Sequence, residues 1–96
     1  MAKFEDHCAE SIRLFGQPYA DVHRWLDAFA GTKEYGYRHR KKRHHDAGIR
    51  EAIALFGEAA GPVARQHIIT DLQDEGWTEA DHFPRDEQDY VTMGLF

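Results

Sequence analysis

The sequence predicts an all-α fold: one small domain of four to five helices, bundle-like, with a partly irregular acidic C-terminal segment. Three observations predict it. Apolar residues recur at helical spacing in successive stretches, glycines fall just past the ends of those stretches, and no segment alternates apolar and polar residues as a half-buried strand does.

The first helix is "FEDHCAESIRLF", which places Phe4, Cys8, Ser11, Ile12 and Phe15 within one stripe, with Gly16 as its stop. The second, "PYADVHRWLDAFAG", has Pro18 near its first turn, stripes Val22, Trp25, Leu26 and Phe29, and closes at Gly31. A third is expected from about Lys33 to Phe56, stopping at Gly57. Gly36 and Gly48 weaken it by about 1 kcal/mol each relative to Ala, so a bend or break near either is expected. The fourth opens around Gly61-Pro62 and runs through "VARQHIITDLQDE" to Gly76. Beyond it the chain is mostly irregular, and Pro84 followed by Asp86, Glu87 and Gln88 marks a short last helix. The expected organisation is a helical core over residues 1–76 and a docked segment over 77–96. Short loops between such helices give a bundle.

Ninety-six residues make one domain, which buries only about 60–65% of the surface its unfolded chain exposes. Each large apolar group therefore matters. A lone cysteine, Cys8, excludes an internal disulfide and cysteine-based zinc chemistry and fits a reducing compartment. The acidic start reads as no signal peptide, and no apolar run approaches the roughly 20 residues of a membrane span, so a cytoplasmic location is expected.

The net charge of −5 is distributed in blocks: −2 over residues 1–37, +5 over 38–50 and −8 over 51–96. The basic block, "RHRKKRHHDAG", meets either a polyanion or acidic surface of this chain or a sister chain. An acidic protein repels a phosphate backbone, so tight nucleic-acid binding is not expected. On a continuous helix Ile49, Ala52, Ile53 and Phe56 share a sector with Arg38, Lys42 and His45, while His44 lies on the other flank. Either that end projects into solvent or the core opens there into a polar pocket floored by His45. Arg38, Lys42, Arg43 and His44 are the candidates for an anion or partner.

Seven histidines are many for this length. His7, His23, His45 and His67 fall in four expected helices, each beside an apolar stripe. His23 has Asp27 and His67 has Asp71 one turn later, and such i, i+4 pairs share a helix face. Bundle cores build metal sites from one or two side chains per helix. His7, His23, His45, His67 and Asp71 are thus candidate ligands for zinc or another divalent metal. Singly, each is read more simply as a half-buried histidine hydrogen-bonded to a carbonyl or carboxylate. The order His23, His45-Asp46, Asp71 also follows the H…HD…D order of HD phosphohydrolases, which hydrolyse phosphate esters on divalent metal; the likeness is one of residue order. Cys8 is read as a small hydrophobe, since neighbouring His7 points elsewhere on a helix.

Together "HRWLDAF", "RHRKKRHHDAGI", "ALFG" and "RQHIITDL" resemble a small bacterial family filed as a domain of unknown function, with members on phages and mobile elements such as integron gene cassettes. The resemblance covers roughly residues 5–76. Its most specific part is the paired-histidine segment at 38–49, followed by Gln66-His67 and Asp71-Leu72. It implies a bacterial setting and assigns no activity, substrate or cofactor. Two functional readings follow: a histidine-lined pocket between helices for a divalent metal or small anion, or a non-enzymatic interaction module, a homodimer, docking its basic helix onto acidic surface.

Overall fold

The computed structural model describes residues 3–30 and 36–95, with side chains from residue 39 onward in the second stretch. Five α-helices and one 3-10 helix follow in order: α1 (Phe4–Phe15), α2 (Ala20–Leu26), the 3-10 helix (Gly36–Lys42), α3 (Asp46–Phe56), α4 (Ala60–Asp74) and α5 (Glu87–Thr92). No strand occurs among the described residues, and none of the helices is long and apolar enough to cross a membrane.

The central element is α4. Its most extensive contact is with α3, and it also packs against α2 and α1. Its inward residues are Ala60, Val63, Ala64, Ile68 and Leu72, joined by Val22 and Leu26 of α2, Ala52 of α3, and Trp77 and Tyr90 from the C-terminal segment. Small alanines let α3 and α4 approach closely, and the leucines and aromatics fill the remainder. The radius of gyration, 12.4 Å, matches the ~12.5 Å of a single domain of this length.

Three elements depart from expectation. α1 turns His7 and Ser11 inward, each 2% exposed, and leaves Ile12 53% exposed. Its buried line is polar because it faces the polar cluster described below. α2 ends at Leu26, before the expected Gly31, which lies outside the described residues. The Trp25 carbonyl, which an extended helix would offer to the amide of Phe29, instead accepts from Arg43 Nη1 at 2.6 Å and from the Ala28 amide at 3.3 Å. Arg43 also stacks over Trp25 and Phe29.

The third bears on the site. Residues 33–35 lie outside the described residues; from Gly36 on, the expected helix is a 3-10 helix and α3 separated by residues 43–45, a break close to Gly48, where the sequence allowed one. His45 is fully extended (φ −162°, ψ 174°) and caps α3 by accepting from the Gly48 amide at 3.0 Å. Gly48 sits so close to the Arg43 carbonyl that any Cβ would collide with backbone. Only glycine lets the link fold back onto the start of α3, and this fold-back turns His44 inward.

Candidate metal centre

Four elements bring titratable side chains to one buried point. α1 supplies His7; α2 supplies His23 and, just past its end, Asp27; the link before α3 supplies His44; and α4 supplies His67 and Asp71. The two i, i+4 pairs, His23/Asp27 and His67/Asp71, face each other across the α2–α4 contact. Their rings are inside: His7, His23, His44 and His67 are all 2% exposed or less.

The donors of one group point at a common centre. His44 Nε2 lies 3.0 Å from Asp71 Oδ2 and 3.5 Å from Asp27 Oδ1. His67 Nε2 lies 3.3 Å from Asp71 Oδ2 and 3.4 Å from Asp27 Oδ2. One atom from each of these four residues lies within 4.8 Å of the others. Donors bound at about 2.0–2.1 Å around a tetrahedral ion stand roughly 3.3–3.4 Å apart, so the observed spacings are those of a ligand shell. The His44 and His67 rings are inclined at 69°, which lets both aim a nitrogen at one point.

A second group, His7, His23 and His67, also lies within 4.8 Å, but its geometry differs. His7 stacks on His67 with centroids 3.6 Å apart and planes at 15°, and His23 is inclined to His67 by only 20°. Rings stacked in parallel cannot direct in-plane lone pairs at one ion between them. His23 is occupied at both nitrogens: Nε2 lies 2.7 Å from Ser11 Oγ and Nδ1 lies 2.8 Å from His67 Nδ1.

Around the four donors sits a supporting layer. Arg40 Nη2 reaches Asp71 Oδ1 at 3.5 Å, and Nη1 reaches the Asp71 carbonyl at 3.2 Å and Glu75 at 3.5 Å. His7 Nε2 lies 3.3 Å from Asp71 Oδ1. His39 Nε2 lies 3.2 Å from Asp27 Oδ1. The Arg40 cation takes the side of Asp71 where a second ion would sit, so the arrangement suits one ion. Access is from the Asp27 side, whose side chain is 29% exposed against 3% or less for the other three.

Electrostatics follow from burial and these partners. Burial alone would raise both carboxyls; hydrogen bonds with His44, His67 and His7 outweigh it at Asp71, and those with His39 and His67 do so at Asp27, holding both well below the usual carboxylate range. Burial pushes His23 and His44 down to about 4 each; the neighbouring His67 adds to this, and the adjacent carboxylates oppose it. At His67 burial is overcome by Asp27 and Asp71, and its pKa is raised. Near neutrality the centre therefore offers two carboxylates, a neutral His44, and a His67 whose Nε2 faces both carboxylates. Several of its atoms are buried without a well-formed hydrogen bond: His7 Nδ1 and Nε2, His44 Nδ1, His67 Nε2 and Asp71 Oδ1.

Of the residues expected as metal ligands, His7, His23, His67 and Asp71 come together and His45 does not. Its Nδ1 caps α3 and its Nε2–H donates to the Lys41 carbonyl at 3.0 Å, so neither nitrogen is left for a metal. The basic candidates are engaged within the chain. Lys42 pairs with Glu87 at 3.2 Å, Arg43 binds the Trp25 carbonyl, and His44 joins the cluster; the Arg38 side chain lies outside the described residues. Asp27 and Arg40 were not among the expected site residues. Asp27 carried a signal, since it repeats at His23 the spacing that singled out Asp71 at His67. Arg40 carried none within a run of five cations.

A family model described as "Domain of unknown function (DUF6915)" matches residues 2–90. No curated protein and no solved structure matches the chain.

Proposed function

The chain belongs to the DUF6915 family, and from that premise we propose that it is a metal-binding protein holding one divalent transition-metal ion between Asp27, His44, His67 and Asp71. The observation that carries this is the set of four nitrogen-to-oxygen spacings, 3.0–3.5 Å, around a shared buried point. Spacings in this range also suit N–H···O hydrogen bonds, but His67 Nε2 and Asp71 Oδ1 form no well-aligned hydrogen bond in the interior, and such a group costs about 1–3 kcal/mol when left without a partner. An ion at the centre supplies the missing partner for His67 Nε2 and draws charge from Asp71.

Two imidazoles and two carboxylates suit zinc, ferrous iron or manganese better than soft-ligand copper. Three of the four ligands are backed in the way metal ligands commonly are, Asp71 by Arg40 and His7, Asp27 by His39 and His67 by His23. We place the protein in a bacterial cytoplasm, in keeping with its lone cysteine and the mobile-element family its sequence resembles.

Metal analysis of the untagged protein, followed by zinc titration of chelator-treated protein, tests the proposal. One equivalent per chain is expected. At about 100-fold excess over Kd the ion adds roughly 2.7 kcal/mol, which in a domain this small raises Tm by more than about 10 °C. Protein that carries no metal and does not shift with zinc, iron(II) or manganese would leave the cluster as a proton-stabilised core.

A further inference from the structure

Resting on that metal reading, we infer that Ser11 and His23 form a positioning relay that holds His67 in the one tautomer able to bind the ion. A histidine that ligates through Nε2 must carry its proton on Nδ1, and that proton needs an acceptor. Among the described residues, the hydrogen-bond partner of His67 Nδ1 is His23 Nδ1 at 2.8 Å. Since two ring nitrogens in contact cannot both donate, His23 must accept there and carry its own proton on Nε2. The Nε2–H then donates to Ser11 Oγ, 2.7 Å away. The order of donation runs outward from the ion: His67 to His23, His23 to Ser11.

Burial makes this assignment strict. Ser11, His23 and His67 are 1–2% exposed, so water cannot substitute for a lost acceptor without a cavity opening. With the opposite polarity, Ser11 donating to His23 and His23 to His67, the His67 proton sits on Nε2, where it points at Asp27 and Asp71 and blocks the ligand position. His23 therefore acts through His67 and touches no ion itself. This explains why its spacing to Asp27 imitates a ligand pair while both of its nitrogens are engaged elsewhere. Ser11, on the stripe of α1, is inward for the same reason.

The test combines a direct readout with variants. In zinc-loaded, 15N-histidine-labelled protein, two-dimensional NMR reports which nitrogen of each ring carries the proton. His67 in the Nδ1–H form and His23 in the Nε2–H form are expected; His23 protonated on Nδ1 would overturn the relay without any substitution being made. For the variants, His23→Leu is expected to lower zinc affinity by about 10–100-fold. His23→Asn, whose carboxamide oxygen can occupy the Nδ1 position, is expected to restore most of the loss. Ser11→Ala should fall between the two. Equal zinc affinity in wild type and His23→Leu would overturn the relay and leave the metal site standing. A wild-type chain that binds no zinc would overturn both, and the two failures are thus distinguishable. The cobalt(II) absorption spectrum gives a readout that misfolding alone does not mimic: a shifted ligand field in His23→Leu and a restored one in His23→Asn.

Discussion

The Nδ1 atoms of His23 and His67 face each other at 2.8 Å in a buried contact, and the two rings are shifted in opposite directions. Burial disfavours the charged form of both; at His23 the neighbouring His67 and His7 add to it, whereas at His67 the carboxylates of Asp27 and Asp71 overcome it. One hydrogen bond thus joins a base whose charged form is disfavoured to one whose charged form is favoured.

This asymmetry sets the pH dependence of the metal-free protein. His23 and His44 have folded pKa values of about 4 against about 6.5 for an unfolded histidine. Between those values the unfolded chain binds more protons, so stability falls as pH drops from about 6.5 to about 4. His67 is shifted the other way; its contribution is fully present below about 6.5 and is lost only as pH rises through its raised value. Below about 4 the depressed carboxyls of Asp27 and Asp71 continue the loss. Melting in chelator should show Tm falling steadily from pH 7 to 4. A flat profile over that range would show that these histidines are not neutral in the fold.

Asp71→Asn should remove zinc binding and also weaken the metal-free protein. The carboxylate is within reach of His7, His44, His67 and Arg40, and without it Arg40 still meets the Asp71 carbonyl and Glu75. Breaking one side of a buried ion pair costs about 3–5 kcal/mol, and the remaining Glu75 contact places this case near the lower end. His44→Ala should also lower zinc affinity sharply, with less effect on Tm in chelator, because it deletes a neutral ring. Denaturant melts beside zinc titrations separate the two effects. Equal losses of stability in both variants would argue against the charge assignment.

Gly48→Ala is expected to destabilise by more than about 2 kcal/mol, a large effect for one methyl. The added carbon meets the Arg43 carbonyl rather than a side-chain tip, so backbone must move. The residues that move are 43–45, which aim His44 at the centre, and zinc affinity should fall with stability. By contrast Gly61→Ala meets only the end of Ile53 and should change Tm by a few degrees at most.

The helices at either end of the core are legible in the sequence. Gly16 and Gly76 both stand at positive φ just past α1 and α4, and Asp86 accepts from the Asp89 amide at 2.8 Å to cap α5 as the acidic run after Pro84 suggests. The convergence of His7, His23 and His67 was readable because a polar residue repeating on apolar stripes must meet its like inside a bundle. Which histidine of "RHH" joins the cluster was not readable; both are buried, and it is His44 that meets Asp71. Helical periodicity assigns the core face to His45, but the contact that decides it, Gly48 against the Arg43 carbonyl, depends on how close two backbones come and has no periodic signature. The same limit hid the end of α2, where an arginine 18 residues away takes the carbonyl of Trp25.

The last expected outcome concerns the C-terminal segment. Two of its aromatics are inside: Tyr90 is fully buried and Trp77 is 8% exposed. Its backbone completes α3, with the Pro84 and Arg85 carbonyls accepting from the Asp46 and Ala47 amides, both at 3.0 Å. Those are first-turn donors with no partner inside the helix, and they directly follow His44 and His45. A further chain of contacts runs inward, from the Tyr90 hydroxyl to Glu75 at 2.9 Å, from Glu75 to Arg40, and from Arg40 to Asp71. The segment therefore supports the metal centre at two points, the link carrying His44 and the carboxylate of Asp71. Burying Trp77 and Tyr90 contributes about 1.5–3 kcal/mol each, against a total of about 5–15 kcal/mol for a domain. Deleting residues 77–96 should abolish cooperative melting, or lower Tm so far that zinc is needed to restore it. Tyr90→Phe keeps the ring and loses only the hydroxyl bond to Glu75, at a cost of about 1 kcal/mol, so it should melt a few degrees early with zinc affinity reduced several-fold. A truncated chain that melts and binds zinc as the full chain does would show that the segment merely lies on a core complete without it.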